Sequence, residues 1–388
     1  MSLLDDRHPS TVTDYDDARR RARWRDTRLG HDWTTLRRTR LTLVRLCVVL
    51  VAVLVVFAQY WTFDIAPERA RLARTEPAIL PVATPADQRN WDSVVVDLVG
   101  LGNLNASNTA AALPSLSRLG VVWAIKYDNR GIDTKVIADL IVRAALMSGL
   151  KNVVLVGHSM GGVIALEVAR HIHTGSDRRL VGVLLDCTPM DLNAVREESR
   201  GRGEDMVRWM GWLPGARESR TLRLIVEMYA RRGEFVDRGL NGAPGIRMPE
   251  LREVIERVLH DKIFSEDAAS NGLIESQFLT IVAGGALRDL DALSRPFEGK
   301  PRPAIVYLRP RDAERDRVVD VEYSHQVLIE RAGGVDGTLL VVNPRNTGHA
   351  NPIQRPREYN QVITDQVLPF VRRYQEQARE ADGAAAFR

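Results

Sequence analysis

Eighteen consecutive residues, LCVVLVAVLVVFAQYWTF from Leu46 to Phe63, are almost wholly apolar and carry no charge. As a helix the run spans about 27 Å, close to the hydrocarbon thickness of a bilayer. Its many valines weaken a helix in water, but lipid forces every backbone group to bond internally, so a helix is the form it must take. Tyr60 and Trp61 fall where an interfacial aromatic belt is expected. A cleaved signal peptide has a shorter charged region ahead of its apolar core, and no A-x-A site follows here. A buried core helix of this length keeps a polar face, which this run lacks. Lipoprotein processing at Cys47 is excluded because the apolar stretch follows the cysteine.

The flanks give the expected orientation. ARRRARWRDTR and LRRTRLTLVR precede the run, whereas the first stretch beyond it has Arg69, Arg71 and Arg74 among mixed charges. The positive-inside bias puts the N-terminus in the cytoplasm and everything after residue 64 outside. Residues 1–40 read as a charged cytoplasmic tail and 41–63 as a single-pass anchor at the cell membrane. Residues 64–90, rich in Pro and Ala, read as a stalk.

Beyond residue 90 the pattern becomes that of a globular domain, as 45% hydrophobic and 27% charged residues suggest. SVVVDLVG (93–100), VVWAIKY (121–127), NVVLVG (152–157), LVGVLLD (180–186), AIVYL (304–308) and TLLVVN (338–343) read as strands. Helical periods lie between them, at 134–149, after Gly161, at 321–333 and near 358–377. Strand alternating with helix predicts an α/β fold with a mostly parallel, doubly wound sheet. The sheet segments divide into 91–190 and 300–377, leaving 378–388 as a C-terminal tail. Between them, 191–299 reads as helices without strands, a cap over the strand ends. Met206, Trp209, Met210, Trp212 and Leu213 are candidates to line an apolar cleft there, or to form the core side of a surface helix.

The net charge of +4 comes with far more arginine than lysine, a usage that reflects coding composition more than a nucleic-acid surface. No nucleic-acid module is present, so no nucleic-acid partner is expected. Two cysteines, Cys47 and Cys187, make no disulfide framework, and Cys187 reads as a small core residue.

The chemistry concentrates in LVGHSMGG, 155–162. Gly157-x-Ser159-x-Gly161 sits between an apolar strand and an amphipathic helix, where a sharp turn leaves the Ser159 hydroxyl exposed and its neighbours without room for a Cβ. With the turn Asp128-Asn129-Arg130-Gly131 and the turn Gly100-Leu101-Gly102, this resembles the α/β-hydrolase superfamily, over about 91–190 and 300–377. The likeness is to exported, membrane-anchored esterases and lipases, and it implies a serine hydrolase acting on small-molecule or lipid carboxylic esters through an acyl-enzyme.

The resemblance also implies a base and an acid following the serine in chain order. His8 and His31 precede the apolar run, His171 and His173 belong to the helix after the elbow, His260 to the cap and His325 to a predicted helix. His158 adjoins the serine and points away from it. His349, in NPRNTGHANP after the last strand, remains as the base. The acid is expected after AIVYL, which offers Asp312, Asp316 and Asp320. Asp320 reads as a helix N-cap. Asp316, followed by Arg-Val-Val, is favoured, and Asp312 stays as the alternative. Backbone N–H groups of Leu101 and Met160 would form the oxyanion hole, although Val99 stands where the family usually carries a histidine.

Gly100-Leu101-Gly102 is not a dinucleotide loop, because Asn105 replaces the third glycine. No HExxH or cysteine–histidine cluster appears, so neither cofactor nor metal is expected. Two alternatives remain open: an acyltransferase using the same nucleophile, and a catalytically silent hydrolase-fold binding protein.

Overall fold

The computed structural model describes residues 17–386 apart from 86, 88–89, 239–243 and 284. The first sixteen residues of the expected cytoplasmic tail lie outside that range. The chain divides into two units, Met1–Phe63 and Asp64–Arg388.

The first unit contains the helices Asp17–Asp26 and Arg28–Tyr60. Leu46, Val49, Leu50, Val51, Val53 and Leu54 are each more than half exposed. A helix satisfies its own backbone, but this one offers its apolar side chains no protein core. The helical run Thr39–Leu72 is, among the described residues, the one long and apolar enough to cross a membrane.

The second unit is built on β1 (Ala78–Ala83), β2 (Ser93–Leu98), β3 (Val121–Lys126), β4 (Asn152–His158), β5 (Arg179–Asp186), β6 (Val236–Arg238), β7 (Pro244–Ile246), β8 (Ala304–Leu308) and β9 (Leu339–Val342). Seven strands form one sheet in the order β1-β3-β2-β4-β5-β8-β9, parallel throughout except for β1 against β3. β2, β4 and β8 are buried at every residue, which explains their unbroken valine, isoleucine and leucine runs: helices cover both faces. The covering helices include Thr134–Met147, Met160–Gly175, Val321–Ala332 and Leu368–Ala386. Asp133 caps the first of these by accepting from the Val136 N–H at 3.0 Å.

Strand order reverses at β2. The chain moves from β2 outward to β3, then returns to place β4 on the other side of β2. Such a switch point opens a crevice at the carboxyl ends of the two strands. Gly100–Gly102 follows β2 and Ser159 follows β4, so the topology brings both turns to that crevice.

Two expectations need correction. Residues 64–90 are not a bare stalk: they contain the helix Ala66–Leu72 and strand β1, which pairs along the edge of the main sheet. Proline and alanine made this stretch resemble a linker. On an edge strand, however, Pro81 forfeits no interior ladder bond, and Ile79, Leu80 and Val82 pack against the core. The Asp64 carboxylate is also engaged, accepting from Ser219 Oγ at 2.7 Å and from the Arg220 N–H at 3.0 Å. The second correction concerns the cap, which is not wholly helical. β6 and β7 pair there as a short antiparallel ribbon.

Residues 66–72 are helical and 78–83 are paired, so trypsin should leave the bonds after Arg69 and Arg71 intact in the native protein. Mass spectrometry of a timed digest checks this; rapid cutting at those two bonds would restore the stalk.

Candidate active site

Ser159 has φ 54° and ψ −125°, a region that residues with a Cβ rarely occupy. The turn is held by its surroundings. The Ser159 N–H donates to the Asp186 carbonyl at 2.7 Å, and the Gly162 N–H donates to the Ser159 carbonyl at 2.9 Å. A Cβ on Gly157 would lie 2.4 Å from the Gly162 Cα, and one on Gly161 would lie 2.4 Å from the Leu98 carbonyl oxygen. Both positions therefore exclude every other residue, and strand and helix close tightly around the serine.

The structure brings together the three side chains expected from the sequence. Ser159 Oγ lies 2.7 Å from His349 Nε2, and His349 Nδ1 lies 2.9 Å from Asp316 Oδ2. Asp316 is fully buried, and its other oxygen accepts from the Val318 and Val319 N–H groups at 2.9 and 2.8 Å. Burial pushes the Asp316 carboxyl up, but the hydrogen bond and charge of His349 and the two backbone donors outweigh it and leave it below its ordinary value. Asp312 is exposed and caps a short 3-10 turn through the Glu314 N–H. Asp320 caps the helix Val321–Ala332, accepting from the Glu322 and Tyr323 N–H groups. Among the three aspartates, Asp316 is the one that meets the imidazole.

Leu101 and Met160 both border a cavity of about 410 Å³ that also contains Ser159 and His349. Met160 opens its helix, so its N–H has no acceptor within the helix. The turn carrying Leu101 is pinned by a residue that sequence reasoning missed. The buried amide of Gln277 accepts from the Gly102 N–H and donates to the Asn103 carbonyl, each at 2.9 Å. Arg196 was missed as well; it donates to the Asp316 and Ala313 carbonyls and braces the acid loop. Neither contact leaves a local trace, because both partners lie more than a hundred residues away in sequence.

The cavity wall is mainly apolar, with Val99, Phe278, Ile281, Val319 and Ile353 among its members. The expected cap stripe does not line it. Trp209 and Trp212 are exposed and stack edge-on, and Met206 packs on the main core. Phe278 and Ile281 of the helix Asn271–Val282 supply the cap's wall instead.

Beneath the elbow lies a buried charge cluster. His158 Nδ1 donates to Asp186 Oδ2 at 2.8 Å, and its Nε2 lies 3.2 Å from Asp97 Oδ1 without a well-directed hydrogen bond. Tyr359 Oη donates to the other Asp186 oxygen at 2.9 Å. Burial lowers the His158 pKa, but the charge of Asp97 and the hydrogen bond and charge of Asp186 prevail and raise it to about 10.

Cys187, Asp316 and His349 present ligand-type atoms within 4.8 Å of one another. Burial, with Asp186 and Asp316 nearby, pushes the Cys187 thiol well up and favours its protonated form. Its Sγ donates to the Gly348 carbonyl at 3.6 Å, next to His349.

The sequence model of the family described as "Alpha/beta hydrolase family" matches residues 77–362. No curated protein matches the chain. Among solved structures, a membrane phospholipase A described as a novel bacterial virulence factor is 19% identical with a TM-score of 0.47, over 87% of this chain and 99% of that one. A monoacylglycerol lipase from Paleococcus ferrophilus is 16% identical with a TM-score of 0.45, over 76% and 99%. An esterase from Exiguobacterium antarcticum is 15% identical with a TM-score of 0.45, over 76% and 94%.

The His158 pKa is raised on folding, so its stabilising contribution is complete below pH 6.5 and is lost as pH climbs toward about 10. Urea-unfolding midpoints should fall across that window. In Asp97→Asn, with one of the two charges removed, the fall should end at a lower pH. A midpoint that does not change with pH would mean that His158 is buried neutral.

Proposed function

Because the chain belongs to the alpha/beta hydrolase family, we propose that it is a serine hydrolase cleaving carboxylic esters, held at a membrane by its apolar helix. The observation that carries this reading is the unbroken hydrogen-bonded series from Ser159 through His349 to Asp316. His349 Nε2 takes the hydroxyl proton as Ser159 Oγ attacks the acyl carbon. The Leu101 and Met160 N–H groups donate to the oxygen that becomes negative. Asp316 fixes the imidazole tautomer and stabilises the imidazolium. His349 then passes its proton to the departing alcohol, leaving an ester on Ser159. Water attacks that ester, again losing its proton to His349, and frees the acid and the enzyme.

The apolar walls of the cleft favour an ester with an apolar acyl or alcohol part, either a small molecule or a lipid. The exposed apolar helix supports a single-pass anchor over 41–63, and the arginines before it support a cytoplasmic N-terminus with an extracytoplasmic catalytic domain. Residues 191–299 would serve as the cap.

Ser159→Ala should abolish both ester turnover and covalent labelling by a fluorophosphonate while the protein remains folded. Asp316→Asn should lower turnover by about 10⁴, by analogy with other triads, while Asp312→Asn leaves it nearly unchanged. Steady-state assays on a chromogenic ester distinguish the variants. Collapse on Asp312→Asn alone would transfer the acid's role to that residue, and persistent labelling of Ser159→Ala would remove the nucleophile assignment.

A further inference from the structure

A second cavity, of about 440 Å³, lies away from the cleft and is bordered by Arg71, Arg74, Arg220, Phe264 and Glu266 among others. Its charges are unevenly matched. The nearly buried carboxylate of Glu68 serves two of the arginines, at 2.6 Å from Arg71 Nη2 and 2.6 Å from Arg220 Nη2. The exposed guanidinium of Arg74 has no partner among the described residues. Arg220 Nε is buried and makes no hydrogen bond. Buried donors are rarely left unpaired, and a guanidinium offers a fork that suits phosphate oxygens. Beside these donors Phe264 is 66% exposed, with the Arg220 guanidinium 5.9 Å from its ring centre. Cationic donors next to a bare aromatic ring fit an anion attached to an apolar body.

The position along the chain narrows the choice. Arg71 and Arg74 follow the apolar run closely in sequence. If that run crosses a bilayer, as the functional reading has it, they lie within reach of the headgroup layer, where anionic lipids draw basic side chains. We propose that this cavity binds the phosphate of an anionic phospholipid, whose oxygens accept from Arg74 and Arg220 while its glycerol and acyl portion lies against Phe264.

The test uses the full chain in neutral detergent, in the Ser159→Ala background so that no ester is consumed. Dihexanoyl phosphatidylglycerol, dihexanoyl phosphatidylcholine and inorganic phosphate are each titrated by calorimetry. The anionic lipid should bind more tightly than the zwitterionic one. Arg74→Ala should weaken it by about tenfold, the scale of one lost charge-assisted hydrogen bond, and Arg74→Lys should recover part of the loss. Equal binding of the two lipids, or anionic-lipid binding indifferent to Arg74→Ala, would overturn the proposal. Inorganic phosphate binding as tightly as the anionic lipid, with the same sensitivity to Arg74→Ala, would reject the lipid as its source. These short-chain lipids are soluble and the nucleophile is absent, so the outcome is independent of the ester reaction. Anchoring itself is read separately, from whether alkaline carbonate releases the wild-type protein from membranes.

Discussion

The positive φ at Ser159 is the constraint around which the crevice is arranged. A serine in that conformation is strained, and the strain persists only where the neighbouring structure over-determines it. Here β4 enters the turn from the buried centre of the sheet, and the helix Met160–Gly175 leaves it with every residue of its first turn buried. The close approach of Gly157 to Gly162 lets the helix begin directly over the strand end. The hydroxyl is thereby turned toward His349, while the Met160 N–H stays at the open end of the helix.

Asp186 extends that constraint to the opposite side of the cleft. Its carbonyl receives the Ser159 N–H, and its carboxylate receives His158 and Tyr359. Tyr359 Oη in turn accepts from the Asn351 N–H at 3.3 Å, and Asn351 Oδ1 accepts from the Gly348 N–H at 3.2 Å, one residue before His349. One residue at the end of β5 thus contacts the Ser159 turn directly and the His349 loop through two intermediaries. Asp186, His158 and Tyr359 are buried, where an unmatched charge is costly, so removing one of them also strands its partners.

What could be read in the sequence was local. The elbow is a short pattern in which Gly157 is dictated by a collision with Gly162 five residues on, although Gly161 is dictated by the distant Leu98 carbonyl, and the central strands announce themselves by apolar runs. The loops that bring His349 and Asp316 together follow recognisable strands, and the Val-Val after Asp316 does place two N–H donors on that carboxylate. β1 was hidden because an edge strand tolerates the proline and alanine that also make linkers. Gln277, Arg196 and the pairing of Asp97 with His158 were hidden for a different reason. Each depends on where the folded chain brings distant residues together, and nothing within a window of a dozen residues encodes it. The tryptophans of 209–212 misled because an apolar helical stripe gives no indication of which surface it faces.

Residues 191–299 do more than border the cleft. Asp64 and Glu68 bind the segment that carries Ser219 and Arg220. Asn271 Nδ2 donates to the Ala216 and Ser219 carbonyls, tying that segment to the start of the helix Asn271–Val282. Two turns further along, Gln277 of this helix clamps the Gly102–Asn103 turn, and Phe278 and Ile281 form the cleft wall. One helix therefore connects the first residues of the second unit to the Gly100–Gly102 turn. A shift of that helix would move the wall and the turn together, since Gln277 and Phe278 are adjacent in sequence. The shape of the apolar cleft and the aim of the Leu101 N–H are consequently set by the same element.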